Sequence, residues 1–278
     1  MYKLDLTTSL GCITSTGLKN GVYGYDLYPD FEEKVKAIKN SSIKGIELGF
    51  SGSLYAPLAL KILKKAVRIV KKHKVKINTI HFPFSNWVDL ACPWESDKVE
   101  IIKWIGKVFK FTDKLKPNAY IFHPGGEFAT EAKRDEFMGY VIDSCEQLAK
   151  LTSVSICMEN MVAGCLTNTI DRICEFAEKA PNCYVVLDTN HLRGEERPED
   201  AIYRLKDRIK ALHISDTHFI YEEHKMPGEG LIDWQKVIKA LEDVGYNGTF
   251  NYELKPGYTY KQIEENYEKL FEEYNKNK

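Results

Sequence analysis

Six of the seven histidines in this 278-residue chain sit at or just beyond the ends of short apolar runs, and carboxylates share those positions. The stretches are TIHFPF with His81, YIFHPGGE with His123, SICMEN with Glu159, VVLDTNH with Asp188 and His191, ALHISD with His213, EEHKMPGEG with Glu222 and His224, and FNYELKP with Glu253. Imidazole and carboxylate are common ligands of divalent cations. Four successive strand-like runs carry one such group each: Glu159, Asp188, His213 and Glu253. Three carboxylates and one imidazole make an oxygen-rich set, suited to Mn2+, Mg2+ or Co2+ and tolerant of Zn2+. Such a shell is net negative, and a neutral chelating polyol or an enediolate would complete it. The acidic residues are embedded in apolar sequence, and burying three carboxylates without a cation would be strongly unfavourable.

Each of these residues taken singly has an ordinary explanation. A lone glutamate at a strand end is more often a helix-cap neighbour or a surface charge, and a lone histidine a hydrogen-bonded core residue. The metal reading rests on the joint pattern. His81, His123, His191, Glu222 and His224 form a second tier, suited to one or two further ions or, preferably, to substrate hydroxyls. His73, in RIVKKHK, is expected to face solvent, and His218 is left open. Glu47 ends an earlier run; a structural salt bridge is preferred there to a substrate contact. Asp233 suits the N-cap of DWQKVIKALEDV. Gly228 and Gly230 either let the backbone bend close to the site or form a flexible turn. Phe82, Phe84, Trp87 and Trp94 either wall a ligand or pack a loop.

These groups meet only if the elements carrying them converge. Eight β-rich runs lie near 3–10, 43–49, 75–82, 118–123, 154–159, 183–188, 209–215 and 249–254. Between and after them come segments with helical spacing. In one, Leu58, Ile62, Leu63, Ala66, Ile69 and Val70 recur at three- and four-residue steps, with lysines on the other face. The others are 31–40, 97–115, 131–151, 168–180, 198–207, 233–244 and 260–275. Eight alternations in a chain of this length predict a single (β/α)8 barrel domain, 1–278, whose strand ends share one rim. A doubly wound open sheet is the competitor, but SLGCITSTG after the first run is not a GxGxxG phosphate turn.

Lysine and arginine total 39 against 40 acidic residues, for a net charge of −1, which argues against a broad nucleic-acid-binding face. The seven cysteines form no CxxC pair and read as free thiols in a reducing compartment. No run reaches the ~18–20 apolar residues needed to cross a bilayer. MYKLDLTTSLG lacks the apolar core of a signal peptide. A cytoplasmic location is the expectation, with no membrane partner and with homo-oligomerisation left open.

In order along the chain, HFPF, FHPGGE, CMEN, LDTNH, HISD, PGEGLIDW and YEL resemble the xylose-isomerase-like barrel superfamily, from IKGIELG to YELKP. That superfamily includes ketose epimerases, hydroxypyruvate isomerases, inosose dehydratases and metal-dependent apurinic-site endonucleases. The resemblance to epimerases implies one metal held by Glu159, Asp188, His213 and Glu253, with the two glutamates as acid–base pair and His191 on the substrate. His81, His123, His224 and Glu222 would add substrate contacts. An arginine that epimerases commonly place shortly after the histidine of strand seven, here His213, has no counterpart in HISDTHFIYEE. The endonuclease branch binds three zinc ions, and its ligand positions match His81, His123, Glu159, Asp188, His191, His213, His224 and Glu253, with Glu222 in place of an aspartate. GFSGSLYAPL lacks the basic, DNA-inserting character of that branch, and HISDTH replaces its Asn-Asp-Ser-Lys run. The expected function is therefore a divalent-metal-dependent isomerase or epimerase of a small sugar or sugar derivative, working by proton transfer through a metal-stabilised enediolate. Manganese is the first choice of metal, ahead of zinc, cobalt and magnesium. An apurinic-site endonuclease-like phosphodiesterase is the alternative.

Overall fold

The eight expected apolar runs become eight short parallel strands, each followed in the chain by a helix that covers its outer face. The computed structural model describes residues 1–19, 22–50, 56–83, 88–126 and 130–278. The strands of the main sheet are β1 (Asp5–Cys12), β4 (Gly45–Gly49), β5 (Ile77–His81), β6 (Ala119–Phe122), β7 (Ser155–Glu159), β8 (Tyr184–Asp188), β9 (Ile209–His213) and β10 (Thr249–Tyr252). Their order is β10-β1-β4-β5-β6-β7-β8-β9, parallel throughout. A parallel bridge between Ile214 and Tyr252 joins the two ends. There Ile214 N donates to Asn251 O at 2.8 Å and Glu253 N to Ile214 O at 3.1 Å. The sheet therefore closes into a (β/α)8 barrel, and the open doubly wound alternative is excluded.

The helices are α1 (Phe31–Lys39), α2 (Ala56–Lys72), α3 (Glu95–Thr112), α4 (Arg134–Ala149), α5 (Ile170–Lys179), α6 (Pro198–Leu205), α7 (Trp234–Asp243) and α8 (Tyr260–Lys276). In α2 the residues Ile62, Leu63, Ala66 and Val70 are buried, as their spacing predicts, while Leu58 and Ile69 are half-buried at the edge of the stripe. Asp233 caps α7 by accepting from Lys236 N, as expected. Thr259 and Gln262 close a capping box on α8. Most of the core lies between sheet and helices. Phe82 belongs to it, stacked on Phe122 at 4.4 Å between ring centroids. Trp94 is 67% exposed and walls nothing. Phe84, Trp87 and residues 51–55 of the GFSGSLYAPL segment lie outside the described residues.

A second, smaller cluster fills the barrel interior: Ala119 and Ile121 of β6, Cys157 of β7, Val186 of β8 and Ala211 of β9. Strand side chains alternate with a period of two. The residues two positions beyond Ile121, Cys157, Val186 and Ala211 are His123, Glu159, Asp188 and His213. The same step leads from Thr79 to His81 and from Asn251 to Glu253. The apolar layer thus forms a floor, and the ligand-type residues stand on its C-terminal side.

Two features depart from the expectation. An antiparallel hairpin, β2 (Thr14–Lys19) with β3 (Val22–Leu27), follows β1, its strands in register with Lys19 opposite Val22. Its signal was Asn20-Gly21 between two alternating runs, the dipeptide favoured for two-residue hairpin connections. His73 is not free in solvent: its Nε2 lies 2.8 Å from Glu32 Oε1 and its side chain is 17% exposed. The cysteines are free thiols, and all but Cys12 are buried.

Gly230 marks a close backbone approach near the rim. A Cβ there would lie 2.5 Å from Thr217 O and 2.7 Å from Thr217 N, neither of which can swing aside. Gly230→Ala is expected to cost about 1–3 kcal/mol, as other overpacking substitutions do. Urea unfolding measures this, and a variant as stable as the parent would contradict the close packing of this turn.

Candidate metal centre

The strand ends deliver their polar groups to one spot. His213 is fully buried, and its Nδ1 lies 2.9 Å from Glu159 Oε1, 2.7 Å from Glu253 Oε2 and 3.9 Å from Asp188 Oδ2. Glu159 and Asp188 are equally buried, whereas the Glu253 side chain is 23% exposed. One ligand atom from each of these four residues falls within 4.8 Å of the others. Two further groups meet the same criterion: His81, His123 and Glu159 on one flank, and Asp188, His191 and His224 on the other. The three groups overlap, because Glu159 and Asp188 each belong to two of them.

Individual contacts show how the rings are aimed. Glu159 Oε2 lies 3.1 Å from His81 Nε2 and 3.0 Å from His123 Nε2, while its Oε1 is 3.6 Å from His191 Nδ1. His81 Nδ1 meets Phe82 O at 2.9 Å, His191 Nδ1 meets Asn160 O at 2.7 Å, and His224 Nδ1 meets Glu253 O at 3.1 Å. A ring nitrogen facing a carbonyl must carry the proton, so all three rings turn Nε2 toward carboxylates. His191 Nε2 faces Asp188 Oδ2 at 3.4 Å and Glu222 Oε1 at 3.6 Å, and His224 Nε2 faces Glu222 Oε1 at 2.8 Å. Glu222, nearly half exposed, closes the outer side of this flank.

So many charges in a buried space shift one another strongly. Burial opposes ionisation of Glu159, but the charges of His213 and His123 overrule it and hold the carboxyl well below its usual range. Burial likewise opposes Glu253, yet His213 brings it to about 2. Asp188 goes the other way: burial outweighs His191 and His224 and lifts it to about 6. Burial disfavours the charged form of every ring, but neighbouring carboxylates raise His81 to about 9, His191 to about 10 and His224 to about 9, and hold His213 well above the usual imidazole range. His123 stays lowered, with burial prevailing over Glu159.

The residues fit a divalent cation. Asp188 Oδ1 accepts from Asn190 N at 2.6 Å, but Asp188 Oδ2 is buried with no hydrogen-bond partner and faces the rings of His191 and His213. An orphaned buried carboxylate oxygen is costly unless something cationic meets it. Mixed oxygen and nitrogen donors in one cluster are compatible with a first-row divalent ion.

Neighbouring polar residues, which the sequence did not single out, hold these groups in place. The Asn160 side chain accepts from Asp188 N at 2.7 Å and donates to Asp188 O at 2.9 Å, locking the end of β8 to β7. Asn190 Oδ1 accepts from Glu223 N and His224 N, which fixes the loop carrying Glu222 and His224. Asp216, fully buried, accepts from Gly228 N, Ile232 N and Trp234 Nε1 and shapes the PGEGLIDW turn. The faint signal for the two asparagines was their place in MEN and DTNH, directly after or between the ligand-type residues. Glu47 is nearly fully buried; its Oε2 accepts from Thr79 Oγ1 at 2.7 Å and lies 3.1 Å from His213 Nε2. His218 pairs with Glu223 outside the cluster.

Above the centre lies a cavity of about 470 Å3. His81, His123, Glu159, His191, Glu222, His224 and Glu253 line it together with Phe50, Phe82, Met161 and Val162. Among the described residues, no lysine or arginine lines it.

Comparison with known proteins agrees with this architecture. Residues 35–274 match the family model of the xylose isomerase-like TIM barrel. A D-psicose 3-epimerase of Ruminiclostridium cellulolyticum is 31% identical over 116 residues, 39% of this chain and 38% of that protein. The solved structure of a D-tagatose 3-epimerase-like protein superposes with a TM-score of 0.76 at 20% identity, covering 99% of both chains. That of an IOLI protein with a binding zinc atom gives 0.70 at 19% identity over 96% of both. At such identities the structural likeness is one of fold. The family match runs from within α1 to within α8, and the chain belongs to the xylose isomerase-like TIM barrel family.

Proposed function

We propose that this protein is a divalent-metal-dependent isomerase or epimerase acting on a small, neutral sugar or sugar derivative. The observation that carries the reading is the cluster of Glu159, Asp188, His213 and Glu253 at the base of a cavity with no lysine or arginine among its described lining residues. A substrate phosphate would find no lysine or arginine there to meet it, whereas hydroxyls would find imidazoles and carboxylates. The name of the epimerase relative points in the same direction.

Glu159, Asp188, His213 and Glu253 would hold the cation, which when bound supplies Lewis acidity and a template for a carbonyl and its neighbouring hydroxyl. Manganese suits three oxygen donors and one nitrogen, and zinc, cobalt and magnesium are the alternatives. Glu159 ends β7 and Glu253 directly follows β10, with β8 and β9 between them, so a substrate lying over the centre has a carboxylate on either side. One glutamate takes the proton from the carbon next to the carbonyl, and the other returns a proton to the opposite face or to the adjacent carbon. Glu253 has the freer access to the cavity. Glu159 is enclosed by imidazoles that keep it ionised. His81, His123, His191, His224 and Glu222 surround the remaining space and are placed to orient hydroxyl groups.

A second reading has its own observation: the two flanking groups share Glu159 and Asp188 with the central one. Such an arrangement suits a multi-ion site for phosphodiester cleavage, in which the ions rather than lysine or arginine meet the phosphate.

Glu159→Gln and Glu253→Gln are each expected to slow solvent-deuterium exchange into a ketose substrate by about 10^2- to 10^4-fold, with the fold retained. Mass spectrometry reads the exchange, and undiminished incorporation in both variants rules out the proton-transfer roles. Elemental analysis is expected to find one tightly held ion per chain. Three ions, together with scission of an abasic duplex that tracks the purified protein, would replace the isomerase reading with the phosphodiesterase. The His213 ring is held protonated near neutral pH, and it must lose a proton to become a ligand. Metal uptake should therefore release protons and weaken as pH falls. Calorimetry in two buffers of different ionisation enthalpy measures this, and identical heats in both would contradict it.

A further inference from the structure

We infer that Glu47 is a positioning residue of the centre: it takes the Nε2–H of His213 and thereby holds Nδ1 of that ring among Glu159, Asp188 and Glu253 as the nitrogen open to a cation. The inference rests on the metal reading above and extends it to a carboxylate outside the three ligand groups.

The orientation of His213 is the reverse of its neighbours. His81, His191 and His224 each commit Nδ1 to a backbone carbonyl and present Nε2 to the carboxylates. His213 presents Nδ1 to the carboxylates, at 2.7 Å from Glu253 and 2.9 Å from Glu159, and Nε2 to Glu47 at 3.1 Å. Among the described residues its ring nitrogens meet carboxylates alone. Glu47 therefore does for His213 what carbonyl oxygens do for the other three rings. A neutral imidazole carries one N–H, so an acceptor fixed at Nε2 leaves Nδ1 as the lone pair. A carboxylate acceptor also makes the ligating nitrogen more basic.

Glu47 is built for the task. It stands near the end of β4 inside the barrel and is 1% exposed. Thr79 Oγ1, on the adjacent strand β5, donates to the same Oε2 at 2.7 Å and fixes the carboxylate plane. Its other oxygen, Oε1, is buried without a hydrogen-bond partner, and Glu47 lines the cavity. A salt bridge serving stability alone would not need to leave half of a buried carboxylate unsatisfied beside the substrate space.

The test uses Zn2+ as probe, titrated in competition with a chromophoric chelator. Glu47→Gln is expected to lower zinc affinity about 10-fold and Glu47→Leu toward 100-fold, the range for loss of a partner behind a metal ligand. Thr79→Val, nearly isosteric, should shift affinity in the same direction by less, and with Glu47→Gln it carries the test if Glu47→Leu does not fold. Long-range 1H–15N spectra of the zinc-loaded parent should place the His213 proton on Nε2. Unchanged zinc affinity in the folded Glu47 variants, even with a lowered Tm, would overturn the inference, and so would a His213 proton on Nδ1. Zinc uptake without substrate proton exchange would remove the isomerase reading and leave the role of Glu47 standing. Failure of the parent chain to bind zinc would remove both.

Discussion

Two buried carboxylates and a partly buried third converge on one imidazole nitrogen, and the rest of the rim is arranged around that concentration of negative charge. Glu159, Asp188 and Glu253 approach His213 Nδ1 within 2.7 to 3.9 Å. Charge in such a space is tolerated only when it is met at close range by opposite charge or hydrogen-bond donors. Imidazoles do this work here. His81 and His123 take one oxygen of Glu159, His213 the other, and His191 lies against Asp188. A cation bound at any of these nitrogens would have to displace a proton.

The barrel makes this concentration rigid. Parallel strands of four to eight residues have no room to slide, since a one-residue slip would turn the rim groups outward and the floor residues with them. The interior layer of Ala119, Ile121, Cys157, Val186 and Ala211 sets the depth from which the next inward residues rise. Short polar clamps then hold the loops. Asn160 ties β8 to β7, Asn190 ties the Glu222–His224 loop to the end of β8, and Asp216 gathers the turn beyond it.

A barrel of this family hosts many chemistries on the same rim, so fold alone does not decide among them. The distinction lies in what surrounds the ligand groups. The cavity is walled by imidazole, carboxylate and apolar side chains, with no lysine or arginine among its described lining residues. The two flanking histidine groups pull the other way, toward several ions. They meet at Glu159 and Asp188, so the same two carboxylates are central to both readings.

The sequence by itself determined the barrel and its ligand-type residues. Strand and helix periods differ, the eight alternations are clear, and glutamate, aspartate and histidine inside apolar runs stand out against their neighbours. It also showed that Glu159, Asp188, His213 and Glu253 end consecutive strands, which makes them neighbours once a parallel sheet closes. It left the Thr14–Leu27 hairpin unread although Asn20-Gly21 marked it, because the strong apolar pattern of the barrel strands drew the reading. It also set His73 in solvent, since Glu32 is distant along the chain. What only the tertiary structure decided is which nitrogen of each ring faces inward, which carboxylate oxygen is left without a partner, and that Glu47 stands behind His213. Those facts depend on contacts between residues 32 and 166 positions apart in the chain, and on directions good to a fraction of an ångström. A linear pattern encodes which face of a strand a residue occupies, and hydrogen-bond geometry is set only when the faces of several strands are brought together.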